Sequence, residues 1–76
     1  MQTYKGLSGN SGVKLYEIGD DQIKIRFAHK DSFTYVYNYS ITGRQNVEKM
    51  KLLAVKGKGL STFISQNVKN KYARKY

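Results

Sequence analysis

Two runs of alternating residues limit what this chain can become. Ile23, Ile25 and Phe27 alternate with Lys24, Arg26 and Ala28, and Phe33, Tyr35, Tyr37 and Tyr39 alternate with Thr34, Val36 and Asn38. A period of two is that of a strand with one buried face. After Gly43 the period changes. Val47, Met50, Leu53 and Ala54 recur at helical spacing up to Gly57, a residue suited to closing a helix. Leu60, Phe63, Ile64 and Val68 form a second helical stripe, with Tyr72 near its edge. Strands followed by helices predict an α+β fold: a three-stranded antiparallel meander, then two helices packed on one sheet face.

The first strand of the meander is read at Val13 to Ile18, and Gly19-Asp20-Asp21-Gln22 supplies residues that favour a turn. A turn of that length pairs Ile18 with Ile23, Tyr16 with Ile25 and Glu17 with Lys24, the last a favourable cross-strand pair. The second hairpin, around His29 to Ser32, has two registers. A three-residue loop puts the tyrosines on the face of Ile23 and Ile25; a two-residue loop puts them beside Lys24 and Arg26. The first is preferred, because the second leaves four aromatics in water. Val13, Leu15 and Val36 then fall on the outer face. Gly6, Ser8, Gly9, Asn10, Ser11 and Gly12 mark residues 1–12 as a flexible lead-in, with one domain over 13–76.

The 76 residues contain no cysteine, so neither a disulfide nor a thiolate metal site is available. No apolar run is long enough to span a membrane, and the N-terminal residues lack the apolar core of a secretory signal. The expectation is a cytoplasmic protein. Catalysis has little material. His29 is the single histidine, in a turn beside Lys30 and Asp31, and no carboxylates pair outside Asp20-Asp21. Metal sites need several convergent ligands, and none is in view. The stretch Gly57-Lys58-Gly59-Leu60-Ser61-Thr62 follows a helix instead of a strand and lacks the phosphate-loop spacing. A non-enzymatic domain without cofactor or metal is expected.

Charge is unevenly distributed. Residues 1–42 hold Lys5, Lys14, Lys24, Arg26 and Lys30 against Glu17, Asp20, Asp21 and Asp31, one net positive charge. Residues 43–76 hold nine cations against Glu48 alone, eight of the formal +9. Such an excess is the footprint of a protein that meets a polyanion. Lys49 and Lys56 share a flank of the first helix, and Lys58, Thr62, Ser65 and Lys69 lie opposite the second apolar stripe. Lys71, Arg74 and Lys75 are read as the helix end, where cations also complement the macrodipole. Lys71 and Asn67 interrupt the stripe, which suggests that the last turns project as a basic arm or that Lys71 snorkels.

These residues are familiar as a set. Tyr35-Val36-Tyr37 follows a Gly-Asp-Asp turn and an alternating strand. It precedes Tyr39, Gly43, Glu48-Lys49-Met50-Lys51, Gly57-Lys58-Gly59-Leu60 and Phe63-Ile64. The chain resembles the KTSC domain family over residues 11–73, small domains with a central Tyr-x-Tyr motif that also occur at the C-terminus of some lysyl-tRNA synthetases. The resemblance implies an RNA-binding role. The candidate phosphate contacts are Lys49, Lys56, Lys58, Lys69, Arg74 and Lys75. Gly57 and Gly59 are candidates for close backbone approach, with N–H donors at the second helix start. Tyr35 and Tyr37 are candidate base-stacking residues, though the preferred register makes them core. Leu52 and Val55, off the Met50 stripe, are read as contacts to the second helix. Their alternative, with the outer sheet face, is an apolar surface for a protein partner.

Overall fold

The computed structural model of the chain describes residues 1–7, 12–28 and 33–76. It is an α+β domain. Five antiparallel strands lie in sequence order: β1 (Gln2–Thr3), β2 (Val13–Ile18), β3 (Gln22–Phe27), β4 (Thr34–Asn38) and β5 (Arg74–Lys75). Between β4 and β5 come α1 (Tyr39–Thr42), α2 (Arg44–Lys56) and α3 (Leu60–Phe63), the last running into a π-helical segment, Ile64–Val68. The expected three-stranded meander with two helices is therefore corrected to five strands and three helices among the described residues.

The central meander has the register that the alternation predicts. Ile18 pairs with Ile23, Tyr16 with Ile25 and Glu17 with Lys24, whose side chains approach to 3.7 Å. Ile23 pairs with Tyr37 and Ile25 with Tyr35, so the tyrosines share the isoleucine face. The turn expected at His29 to Ser32 lies outside the described residues. One detail differs. A bulge between Val13 and Leu15 brings Val13 opposite Phe27 and turns it inward, where it is buried. An extra residue in one strand reverses the alternation beyond it, so Val13 belongs to the core and not to the outer face.

The helices cover this inner face. Val47, Met50 and Ala54 of α2, Leu60 of α3 and Ile64 and Val68 of the π segment join Tyr16, Ile23, Ile25, Tyr35 and Tyr37 in one cluster. Burial of each large side chain contributes roughly 1.5–3 kcal/mol. The caps are local. Asn38 accepts a hydrogen bond from the Ile41 amide at 2.9 Å and starts α1. Gly57 (φ 77°) ends α2 and donates to the carbonyls of Leu53 and Ala54.

Both ends of the chain correct the sequence reading. Residues 1–7 are part of the fold, not a lead-in; Ser8 to Ser11 lie outside the described residues. Gln2 and Thr3 pair with Tyr16 and Leu15, and Tyr4 is buried, with its hydroxyl accepting from the Leu60 amide at 3.1 Å. At the other end the second helix stops at Val68. Asn67 sends its side-chain amide to the Phe63 carbonyl, and Lys71 N–H closes a turn onto Val68. Tyr72 then packs edge-on against Tyr35 and Tyr37, with centroids 5.0 and 6.3 Å away, and the chain returns to β4 as β5. Without β5, β4 would carry unpaired backbone groups along an apolar strand, which costs more than the last helical turns would gain.

Tyr4→Phe, which removes only the hydroxyl on Leu60, should cost about 1 kcal/mol in urea denaturation. Tyr4→Ala should cost about 3–5 kcal/mol, as for a buried aromatic. A loose lead-in would leave both variants at the parent stability.

Candidate nucleic-acid interface

The six candidate cations are all exposed, and none takes part in an ion pair among the described residues. They do not form one patch on two helices. Lys49 and Lys56 stand two turns apart on α2. Lys58 is in the corner between Gly57 and Gly59, both of which have positive φ. Lys69 follows the π segment, beside an open cleft of about 290 Å³ whose floor is Phe27, Tyr35, Tyr37 and Ile64. Arg74 and Lys75 are the largest correction. They are in β5, not in a projecting helix end, and point to opposite sides. Arg74 pairs with Val36 and lies over the Tyr76 ring at 5.3 Å; Lys75 pairs with Tyr35 and lies over the Phe33 ring at 5.0 Å. Lys71 neither snorkels along a helical stripe nor ends a helix. Its carbonyl accepts from the Thr42 hydroxyl at 2.5 Å and fixes the turn into the tail.

The glycine corner does not offer its backbone to a ligand. Gly57 is buried beneath the N-terminal segment. Its carbonyl accepts from Leu7 N–H at 2.6 Å, and a Cβ at Gly57 would lie 2.9 Å from the Lys5 Cβ. At the start of α3, the Leu60 amide is taken by Tyr4. Lys5 thus stands beside the corner that carries Lys58, a neighbour hidden from a reading that left residues 1–12 outside the domain.

Tyr35 and Tyr37, 5% and 1% exposed, are core residues and present no free ring face for a base. Phe27 and Tyr72 stand edge-on to Tyr35 at 5.2 and 5.0 Å. Burial raises the Tyr37 hydroxyl above its usual value, followed by the influence of Tyr35 and Tyr72. Leu52 and Val55 are 68% and 65% exposed, so neither packs against the following helix as expected. Val55 instead borders a shallow hollow with Met1, Tyr16 and Ile18.

One cation of the basic half is consumed internally. Lys51 lies 2.9 Å from Glu48 and donates to the Asp20 carbonyl at 2.9 Å. The Tyr39 hydroxyl donates to the same carboxylate at 2.5 Å. The cluster ties α1, α2 and the β2–β3 turn together. The Tyr39 hydrogen bond, then that of Lys51, holds the Glu48 carboxyl below its usual value, and the Tyr39 hydroxyl is raised in turn. For Lys51, partial burial works against the charged form, but Glu48 and Tyr39 together outweigh it and the ammonium is raised. Among the described residues no group of three or more His, Cys, Asp or Glu side chains converges on a metal site, and no helix is long and apolar enough to cross a membrane.

No protein family, curated protein or solved structure matches the chain.

A carboxylate with a lowered folded value stabilises the fold fully above its unfolded value of 4.5, and that contribution is lost as pH falls through the folded value. Glu48→Gln should therefore be less stable than the parent at pH 7 and equal to it at low pH, in thermal melts across that window. In amide exchange, Ala73 and Tyr76, which donate to the Val36 and Thr34 carbonyls, should exchange slowly. A frayed tail would exchange them at the rate of an unstructured peptide.

Proposed function

We propose that this domain is a non-enzymatic binding module for nucleic acid, RNA foremost, and that its exposed cations hold the phosphate backbone. One observation carries the reading: eight of nine net charges belong to residues 43–76, and the six candidate cations are exposed and outside every ion pair of the described residues. Capping and solubility do not require so large an excess. Lys49, Lys56, Lys58 and Lys69 are the contacts on the helical side, and Lys5 extends them at the Gly57 corner. Membership of the KTSC domain family, which the Tyr35-Val36-Tyr37 element and the motifs after it suggest, is part of the same proposal.

Contacts of this kind neutralise phosphates and release counterions, so affinity falls linearly with salt on logarithmic axes. They fix position and carry no sequence information by themselves. The second reading, docking of a protein through apolar surface, is favoured by one finding, the exposure of Leu52 and Val55. It predicts binding that survives high salt and buries Leu52.

Binding of the parent protein to single-stranded and duplex RNA and DNA should weaken steeply between low and moderate salt. The double variant Lys58→Glu, Lys69→Glu should retain its fold, lower the affinity at least tenfold and reduce the slope by about 1.4, from roughly 0.7 per lost single-strand contact. Unchanged affinity in that variant would remove the helical surface from the interface.

A further inference from the structure

The helices occupy one side of the sheet; the opposite side is composed differently. Val36 is buried yet lies outside the core cluster that the helices share with Ile23, Ile25, Tyr35 and Tyr37. It belongs to the outer face. Across the strands it stands between Lys24 of β3 and Arg74 of β5. The next outward row is Arg26, Thr34 and Tyr76, where Thr34 and Tyr76 exchange two backbone hydrogen bonds of 2.6 and 3.0 Å. The long stems of Lys24 and Arg74 thus lie along Val36 while their charged ends reach water.

At the centre of this arrangement is an aromatic ring. Tyr76 is 54% exposed, with the Arg74 guanidinium 5.3 Å and the Lys24 ammonium 5.7 Å from the ring centre. A hydrogen bond with Tyr76 raises the Lys24 ammonium above its usual value. Glu17, opposite Lys24, is the acid that the strand residues of this face contribute.

We propose that the outer sheet face, with the exposed Tyr76 ring close to Lys24 and Arg74 and with Arg26 in the next outward row, is a seat for single-stranded nucleic acid. This inference rests on the nucleic-acid reading above and assigns to it a base-contacting surface, which the helical cations lack. The charge balance selects a polyanion over an acid-poor protein surface. The exposed ring selects single strands over duplex, because unpaired bases have free faces to stack and paired ones do not. The two cations already hold the ring in place, so little side-chain freedom is lost when a base arrives.

The probe is a short oligouridylate, with an RNA duplex as comparison. Tyr76→Ala should lower oligouridylate affinity about 5- to 150-fold, the range for one stacked base, with little change in salt slope. Duplex affinity should change far less, and Tyr76→Phe, which keeps the ring, should bind nearly as the parent does. Arg74→Ala should reduce the slope by about 0.7, and Lys24→Ala by less, because Glu17 already pairs with Lys24. Slow exchange of the Ala73 amide in each variant verifies that β5 is still paired. In NMR titration of the parent, shifts should fall on Lys24, Arg26, Arg74 and Tyr76. If the sheet-face variants bind like the parent while Lys58→Glu, Lys69→Glu loses affinity, the sheet-face seat is overturned and the broader reading stands. If the parent protein binds no nucleic acid at low salt, both are overturned.

Discussion

The fold depends on one choice of register, the pairing of Ile23 with Tyr37 and Ile25 with Tyr35. A slip of one residue would carry both tyrosines to the opposite side of the sheet. It would also strip the helices of the aromatic surface they pack on and bring Val36 into its place. Tyr72 has its binding edge only because Tyr35 and Tyr37 stand side by side. The return of the tail to β4 follows from that contact, as does the division of the molecule into a helix-covered side and an open one.

That division explains how the charges are arranged. On the covered side, Lys49, Lys56 and Lys58 lie on the far flank of the helices or at their corner, and Lys75 lies on the edge strand over the Phe33 ring. On the open side, cations arise from strand alternation: two outward positions of β3 are Lys24 and Arg26, and β5 adds Arg74 across β4. The two groups come from different periodicities in the same chain. Glu17 takes Lys24 and Glu48 takes Lys51. The Lys51 pairing serves the fold by holding α2 to the β2–β3 turn.

Much of this could be read from the residues. The alternation in β3 and β4, the Gly19–Gln22 turn and the Gly57 stop encode their own geometry, because each is a local pattern with a local cause. The ends could not be read that way. Tyr4 is a single aromatic in a glycine- and serine-rich stretch; its reason for being buried lies at Leu60, far along the chain. The tail carries Lys, Asn and Arg at positions where a helix is tolerable, and only the unpaired edge of β4 draws it into a strand. Lys24 and Arg26 were visible as one face of β3, but their partner Arg74 came into place only through β5. The inward turn of Val13 was hidden for a related reason, since a bulge leaves no mark in the spacing of apolar residues.

One of the two shortest strands of the sheet protects its most adhesive one. Thr34-Tyr35-Val36-Tyr37-Asn38 is rich in aromatic and β-branched residues and has neither charge nor proline, a composition that favours self-association when such a strand edge is bare. Two residues, Arg74 and Lys75, cover that edge and set a positive charge on each side of it. Whenever the tail detaches, two molecules could meet strand to strand; while it stays paired, like charges keep neighbouring copies apart. By that argument the pairing of the basic tail would also guard against aggregation, a duty that would constrain its composition whatever else its cations touch.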